Sequence, residues 1–380
     1  MACIPFSRPT QLGCEAEQVV AVLQAGELSG GRAAAACERL LNIECGVSAA
    51  LLTCSASAAL EMSALLLALR PGDEVILPSF QFPSAANAIL RCGAVPVFVD
   101  IDPRTMNIDP QAAAAAVTPR TRALSIMHYG GVACDMQPLL ALCAERGLDL
   151  LEDAAKALGA SWRGKPLGSF GRAACLSFHA TKNLTMGEGG ALLLREAADL
   201  PLAEQLRDKG TDQAAFRRGE KTFYQWQRQG ISAVPSGLAA ACLLPQLEQL
   251  AAITAARRAL WQRYDAALAP LYAAGLLGGP YVPPDAFHNA HIYFIKTADA
   301  AERSKLAAYL AARGIGSASH FQPLHSAPAG RRYGRFHGED RYTTRESERL
   351  LRLPLYHGMP PQAVEQTAAT ISAFYGRKGV

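Results

Sequence analysis

The sequence lacks several patterns that would each define a class of protein. Its ten cysteines include no Cys-x-x-Cys pair, and some stand inside apolar runs, as Cys143 and Cys175 do. This distribution favours reduced, buried thiols over a disulfide framework or a zinc site, so no metal is predicted. The formal net charge of +4 over 380 residues is small, and the basic residues are dispersed. Such a charge pattern does not indicate a surface that binds nucleic acid.

Targeting and membrane signals are also missing. The first five residues have neither a basic segment nor an apolar core, and the longest apolar stretches, such as 64–69, are far too short to cross a bilayer. No Gly-x-Gly-x-x-Gly follows the first predicted strand, which argues against a nicotinamide dinucleotide site. We therefore predict a soluble, cytoplasmic protein with no membrane partner.

The first two thirds of the chain alternate short apolar segments with helical ones. Strands are predicted at 74–77, 95–99, 123–128, 148–152 and 173–178, and helices at 58–69, 82–91 and 136–146. This alternation is typical of a mostly parallel sheet that is covered by helices on both faces. Since ligands of such sheets bind at the carboxyl ends of the strands, the chemistry is expected there.

The pattern changes after about residue 245. It predicts one long helix over 244–272, a strand at 291–296, a helix at 302–313 and a further strand near 317–321. We interpret residues 1–245 as a large domain with an N-terminal arm, and residues 246–380 as a smaller α/β domain.

Two predicted strands end in residues that are suited to catalysis. The apolar segment 150–153 finishes in Glu152 and Asp153. An acid there can hold a proton on a pyridine nitrogen, which makes the ring an electron sink, although this segment alone favours a helix cap. Lys182 follows the strand at 173–178 and precedes a glycine-dense turn. A buried lysine amine can react with a carbonyl carbon, although a loop lysine is more commonly a solvated charge.

A candidate phosphate site and a candidate stacking ring come earlier in the chain. Residues 53–58 place small hydroxyl side chains at a helix start, where free N–H groups and the dipole favour phosphate, and ordinary N-capping explains them about as well. Phe80 and Phe82 flank a strand end and either could stack on a planar ring, although core packing is the commoner reason for each. Ser177 could donate to a phosphate. A phosphate cradle, an aromatic, an acid and a lysine in this chain order are the parts of a pyridoxal 5′-phosphate (PLP) site.

The motifs that contain these residues resemble those of the DegT/DnrJ/EryC1/StrS sugar aminotransferases. The motifs are Glu152-Asp153-Ala154-Ala155, Ser177-Phe178-His179-x-x-Lys182-Asn183, Gly187-Glu188-Gly189-Gly190, and the segments 71–79, 320–325 and 353–356. Further matching segments lie at 60–62, 105–109, 128–134, 207–211 and 336–344, so the resemblance covers nearly the whole chain. It implies an α/β protein of the type I PLP-dependent aminotransferase fold, with a large mostly parallel sheet domain and a smaller C-terminal α/β domain.

The resemblance also implies a role for each matching residue. Lys182 would be the Schiff-base lysine and general acid/base, Asp153 would partner the pyridine nitrogen, and Phe82 would stack on the ring. The implied phosphate contacts are Ala56, Ser57 and Ser177. Candidate substrate contacts are Arg8, His320 and His325. The family works as a homodimer whose active sites are completed by the partner subunit.

The chain departs from the family pattern near the expected cofactor. Lys156 stands where the family has Gln or His beside the 3-hydroxyl of PLP, and a second ammonium there could shift the pKa of the reactive lysine. Ser232 replaces an Asn that binds phosphate, and Gly237 replaces an Asp. Lys156 and Ser232 are kept as candidate cofactor contacts, while the contact across the dimer is in doubt.

The resemblance implies a specific reaction. It is a ping-pong transfer of the amino group of L-glutamate to the 4-keto carbon of dTDP-4-dehydro-6-deoxyglucose, giving dTDP-4-amino-4,6-dideoxygalactose for enterobacterial common antigen or lipopolysaccharide. Two alternatives stay open, namely another nucleotide-sugar aminotransferase of the family and a catalytically impaired PLP-fold protein with a binding or regulatory role. The sugar 3-dehydratase branch has His at the position of Lys182, so the lysine argues against it.

Overall fold

Helices and strands alternate through most of the chain in the computed structural model, which describes residues 3–376. The strands are β1 (Ala49–Thr53), β2 (Glu74–Pro78), β3 (Val95–Val99), β4 (Thr121–Met127), β5 (Asp149–Asp153), β6 (Ser161–Trp162), β7 (Lys165–Pro166), β8 (Ala173–Ser177), β9 (Gly190–Leu194), β10 (Ala286–Phe287), β11 (Tyr293–Lys296), β12 (Arg335–Phe336) and β13 (Leu350–Leu353). The α-helices are α1 (Glu15–Ala25), α2 (Gly31–Cys45), α3 (Ala56–Leu66), α4 (Pro83–Arg91), α5 (Pro110–Ala115), α6 (Met136–Arg146), α7 (Leu200–Arg207), α8 (Gln213–Arg217), α9 (Gly237–Glu248), α10 (Leu250–Ala273), α11 (Ala300–Ala311), α12 (Pro328–Tyr333), α13 (Thr343–Arg349) and α14 (Pro361–Gly376).

The main sheet has eight strands in the order β1-β9-β8-β5-β4-β2-β3-β12. Only β9 runs against its two neighbours, and the other adjacent pairs are parallel. The prediction of a mostly parallel sheet is therefore confirmed. The carboxyl ends of the parallel strands meet at one edge, where ligands of such sheets bind.

Both faces of this sheet are buried, which explains why its strands are apolar without alternation. Along β2, Val75 and Leu77 point into one hydrophobic core, and Ile76 points into the other. Because successive side chains of a strand face opposite sides, a strand buried on both faces is apolar along most of its length.

The last third of the chain forms a third core around α10, α11, α14 and the β11–β13 pair. A smaller α/β unit is predicted for this part of the chain, and its boundary at residue 245 stays a prediction. The unit also contributes to the main sheet, since β12 pairs with β3 in parallel. Asp100, which follows β3, accepts hydrogen bonds from the backbone N–H groups of residues 341, 342 and 343 at 2.8 to 3.0 Å.

Two predicted elements of this last third are wrong. The long helix over 244–272 is two helices, α9 and α10, which meet at Gln249 with a bend of 68°. The N–H of Gln249 bonds to the carbonyl of Gln246, three residues back, instead of four residues back as in a continuous α-helix. The bend lets α9 pack on α1 and α2 while α10 packs on α14.

The predicted strand near 317–321 is a single bridge between Ala318 and Arg352. Beyond this bridge, the rings of His320 and Phe321 stack on each other, with centroids 4.0 Å apart, and both contact Tyr129.

Within residues 3–376, no single helix is both long and apolar enough to cross a membrane. The bent pair of α9 and α10 meets those criteria of length and composition only when the two helices are taken together.

Candidate active site

A cavity of about 500 Å³ opens at the carboxyl edge of the main sheet. It lies beyond the ends of β5 and β8 and at the N-terminus of α3, as the topology predicts for a ligand site. Eight of the residues singled out in the sequence line this one cavity: Ala56, Ser57, Phe82, Asp153, Lys156, Ser177, Lys182 and His320.

The two acids at the end of β5 point in opposite directions, because successive side chains of a strand alternate. Glu152 is buried behind the sheet, where its carboxylate accepts the backbone N–H groups of residues 168, 170 and 171 at 2.7 to 2.8 Å and lies 2.9 Å from His128. Desolvation raises the pKa of Glu152, but the hydrogen bonds from His128 and the backbone outweigh it, so the net pKa is lowered. Glu152 therefore fixes the turn at 168–171.

Asp153 faces the cavity and is 4% exposed. Its carboxylate accepts the N–H of Ala155 at 3.1 Å and the side-chain amide of Gln81 at 3.3 Å. Residues 155–159 form turns and no helix follows, so the interpretation of Asp153 as a helix cap is wrong. The carboxylate is held by neutral donors and is directed into the cavity, which suits an acceptor for a protonated ring nitrogen.

Lys182 lies in the turn that follows β8, and its backbone N–H donates to the carbonyl of His179 at 2.9 Å. Desolvation lowers the pKa of its ammonium group, and the negative charge of Asp153 offsets part of that effect. A lowered pKa increases the fraction of free amine at neutral pH, which is the nucleophilic form.

The N-terminus of α3 offers a cradle for an anion. The hydroxyl of Ser55 accepts the N–H of Ala58 at 3.1 Å, and its carbonyl oxygen accepts the N–H of Ala59. The N–H groups of Ala56 and Ser57 are then the two at this terminus that a phosphate can use. Gly190 packs directly against the backbone of Ala56, so a Cβ on residue 190 would displace the N-terminus of α3.

The two candidate aromatics differ in their surroundings. Phe80 is fully buried and packs against Tyr129 and Phe321, with ring centroids 5.1 and 5.4 Å apart. Phe82 is 56% exposed and lies on the cavity wall. Phe82 is therefore available to cover a planar ring, whereas Phe80 is part of the core.

Lys156 is buried beside the same cavity, with only 7% of the residue exposed. Its Nζ lies 3.4 Å from the thioether sulfur of Met127 and 4.9 Å from the centroid of the Phe321 ring. Desolvation, followed by repulsion from Lys182, lowers the pKa of Lys156 to about 7, although Asp153 acts in the opposite direction. The site thus contains two lysines of perturbed pKa, a feature that is concentrated at functional sites.

The candidate substrate contacts fall in different places. His320 lines the cavity, with its Nδ1 3.1 Å from the hydroxyl of Tyr129, and desolvation lowers its pKa. His325 lies outside the lining, where its ring contacts the Ser79 hydroxyl at 2.6 Å and Asp340 at 3.2 Å. Arg8 is exposed and lies 5.7 Å from the ring of Tyr356.

Ser232 also lies outside the cavity lining of this chain. It forms a bridge with Asp208, and its carbonyl oxygen lies 3.9 Å from the sulfur of Cys54. The neighbouring Gly237 packs so closely on the Glu27 carbonyl that a Cβ would overlap it. This contact gives a structural reason for glycine at that position, and a role of Ser232 towards a second subunit stays a prediction.

Several site residues were missed in the sequence: Gln81, Ser84, His291 and Arg352. Gln81 carried a usable signal, since it is a polar residue between two aromatics at a strand end. Arg352 carried none, because it stands in a strand of the last third whose position beside Lys182 depends on tertiary packing.

The donor set fits PLP. The helix N-terminus at Ala56 and Ser57 suits the phosphate, Asp153 suits the ring nitrogen, and a lysine of lowered pKa faces the same space. The fold and these groups together are those expected of a PLP-dependent enzyme.

Comparisons with known proteins agree with this class. The spore coat polysaccharide biosynthesis protein SpsC of Bacillus subtilis (strain 168) is 34% identical over 379 residues, covering 97% of this chain and 96% of its own. The crystal structure of the aminotransferase TlmJ from Streptoalloteichus hindustanus has a TM-score of 0.91 at 31% identity, covering 99% of this chain and 100% of that one. A Streptococcus pneumoniae structure in its PLP form has a TM-score of 0.90 at 24% identity, over 98% of both chains, and supports the fold alone.

The sequence model of the DegT/DnrJ/EryC1/StrS aminotransferase family matches residues 11–372, and the chain belongs to this family. It is a PLP-dependent sugar aminotransferase of the type I fold.

Proposed function

We propose that the enzyme transfers the amino group of L-glutamate to the 4-keto carbon of dTDP-4-dehydro-6-deoxyglucose, forming dTDP-4-amino-4,6-dideoxygalactose in the cytoplasm. The observation that carries the proposal is the single cavity of about 500 Å³ that contains Lys182, Asp153 and the N-terminus of α3. The choice of sugar rests on the sequence resemblance, particularly the segment 336–344. The coarser activity, amino transfer to a sugar, is that of the family.

Each residue of the cavity has a role that follows from its chemistry. PLP, when bound, supplies an electron sink that stabilises negative charge at the carbon that loses its proton. The N–H groups of Ala56 and Ser57, with the hydroxyl of Ser177, would bind the phosphate. Asp153 would hold the proton on the ring nitrogen, and Phe82 would cover one face of the ring and exclude water from it.

Lys182 is the proposed proton carrier of the reaction. Its amine, whose pKa is lowered by burial, would take the proton from the donor carbon that bears the nitrogen and deliver it to C4′ of the cofactor. In the second half-reaction it would move a proton the other way, from C4′ to the sugar carbon. Lys156 would add a second cation beside the same space, and His320 would present a neutral imidazole to the sugar, because desolvation lowers its pKa.

We further propose that the enzyme acts as a homodimer. Four aromatic residues of the segment 216–226 are exposed, from 40% for Phe216 to 78% for Trp226. Exposed aromatic clusters of this kind are typical of protein–protein contact surfaces. A second subunit docked there would bury them. Ser232 lies near this segment, because it forms a bridge with Asp208, whose carboxylate is 3.9 Å from Arg217.

Product analysis tests the proposed reaction directly. The PLP-loaded enzyme would be incubated with ¹⁵N-labelled glutamate and dTDP-4-dehydro-6-deoxyglucose, and the product examined by NMR. We expect ¹⁵N on C4 of the sugar in the galacto configuration. Label on another carbon, or the gluco configuration, would contradict the assigned product, and a PLP-loaded protein that transfers no label would contradict the proposed substrate pair.

Matched lysine variants control this experiment. Lys182→Ala removes the proposed proton carrier, and Lys165→Ala removes an exposed lysine of the short strand β7. We expect transfer to be lost only in Lys182→Ala.

A further inference from the structure

A second, smaller cavity adjoins the active site on the side of Lys182 away from the phosphate cradle. Its volume is about 220 Å³, less than half that of the main cavity, and it shares Lys156, Thr181, Lys182 and His320 with it. We call this space the basic alcove. Its lining includes five basic side chains and no acidic one: Lys156, Lys182, His291, His320 and Arg352.

His291 and Arg352 are the basic residues of the alcove that have no part in the catalytic roles above. The Nδ1 of His291 lies 2.9 Å from the side-chain oxygen of Asn183, which leaves Arg352. Its Nη2 donates to the carbonyl oxygen of Ser319 at 3.0 Å, and its guanidinium lies 4.8 Å from the centroid of the Phe6 ring. Its Nε is buried with no hydrogen-bond acceptor among residues 3–376. The Nε of Arg349 on the preceding helix is also buried without a hydrogen-bond acceptor, but it lies 3.7 Å from the carboxylate of Glu346, whereas Arg352 forms no ion pair within residues 3–376.

The electrostatics of the alcove favour an anion. Desolvation lowers the pKa of Lys156, Lys182 and His320, and the charge of Arg352 lowers all three further. Asp153 is the acid that counteracts this for the two lysines, and it belongs to the main cavity. Lys156, Lys182 and Arg352 are therefore buried together with Asp153 as the one acid that offsets the two lysines. Burying three basic groups beside so little opposite charge is costly for folding, so their placement points to a negatively charged ligand.

We infer that the basic alcove binds a carboxylate of the amino donor and that Arg352 is its anchor. The inference rests on the proposed function, because the amino group of the donor must come to Lys182, and the alcove begins at that side chain. An arginine fork and a carboxylate match in geometry and charge. A volume of about 220 Å³ suits an amino acid better than a nucleotide sugar.

Binding of a non-reactive dicarboxylate tests the anchor. Glutarate has no amino group, so the PLP-loaded enzyme cannot convert it, and its dissociation constant can be measured by calorimetry. We expect Arg352→Gln to weaken glutarate binding at least about tenfold, since loss of one partner of a buried charge pair has effects of this size or larger. Arg352→Lys keeps the charge but loses the planar guanidinium that can donate two parallel hydrogen bonds. Its dissociation constant for glutarate should therefore lie between those of the unchanged enzyme and Arg352→Gln. Arg263→Gln, which removes an exposed arginine paired with Glu365, should bind as the unchanged enzyme does.

The kinetics separate an anchor from a merely structural arginine. In the half-reaction with glutamate, Arg352→Gln should lower kcat/KM at least about tenfold, mainly through KM, while the half-reaction of the amino-loaded enzyme with the sugar nucleotide keeps its rate. Glutarate affinity within twofold of the unchanged enzyme, or an equal loss in both half-reactions, would overturn the inference. Failure of the proposed function looks different: the unchanged enzyme would bind glutarate through Arg352 yet transfer no nitrogen to the sugar.

Discussion

Replacing Lys156 by methionine is expected to stabilise the cofactor-free protein at neutral pH. The lysine is 7% exposed, and the hydrogen bond that it donates goes to a weak acceptor, the thioether sulfur of Met127. Desolvation and the repulsion from Lys182 lower its pKa from the ordinary value of 10.5 to about 7. Folding therefore disfavours a charge that the unfolded chain carries without cost.

The magnitude follows from the linkage between protonation and stability. Since one pKa unit corresponds to about 1.36 kcal/mol, the penalty for burying Lys156 is roughly 4 kcal/mol at pH 7 and roughly 2 kcal/mol at pH 9. The penalty shrinks as the pH rises, because between pH 7 and 10 the lysine of the unfolded chain still binds a proton that the lysine of the folded protein has lost. The stability of the unchanged protein should rise over this range, and Lys156→Met should lack that contribution.

Urea unfolding monitored by circular dichroism measures the effect. The cofactor-free protein, Lys156→Met and the control Lys165→Met would be compared at pH 7 and pH 9, at one protein concentration. We expect a large gain in unfolding free energy for Lys156→Met at pH 7, about half that gain at pH 9, and no gain for Lys165→Met, whose lysine is exposed. A gain that is absent at pH 7, or equal at both pH values, would refute the reasoning.

Three further predictions concern the packing and the charges of the site. Gly237→Ala should lower the free energy of unfolding by about 2 kcal/mol or more, measured by calorimetry, because the new Cβ would overlap the carbonyl of Glu27. Glu152→Gln should lower the free energy of unfolding by about 3 kcal/mol or more at pH 7, measured by urea unfolding, since it removes a buried charge that its partners require. Because the pKa of Glu152 is lowered on folding, the difference in stability between the unchanged protein and the variant should shrink as the pH falls below about 4.5. A difference that stays constant in acid would argue against this explanation. Asp153→Asn removes the charge that raises the pKa of Lys182, so the pH midpoint for acylation of Lys182 in the cofactor-free protein, followed by peptide mass spectrometry, should fall by roughly one unit.

The central part of the fold could be predicted from local sequence signals. The strand at 95–99 and the helix at 136–146 have the predicted bounds in the structure. In each case an apolar segment is bounded by residues that end it, such as Asp100 after the strand and Gly147, which adopts the left-handed conformation after the helix. Such signals act over a few neighbouring residues, and a single sequence contains them in full.

Elements that depend on distant contacts were predicted less well. The break at Gln249 has no glycine or proline at the break itself, and it forms because α9 and α10 pack on different helices. The strand expected near 317–321 is reduced to a single bridge, and two aromatic rings of this segment pack against Tyr129, a contact distant in sequence. The roles expected of Lys182 and Asp153 came from motifs, whereas the position of Arg352 beside Lys182 depends on how the last third folds back onto the first.

The pairing of β12 with β3 limits how the active site can open. The C-terminal part of the chain is attached to the rim of the main sheet by this pairing, by the three backbone hydrogen bonds to Asp100, and by an ion pair of 2.9 Å between Arg335 and Glu74. A movement that pulled the C-terminal part directly away from the main sheet would break all of these contacts, which we call the seam, at once. A swinging motion that keeps the seam as its pivot would leave it intact, so we expect substrates to enter through a rotation of the C-terminal part or through movement of individual loops.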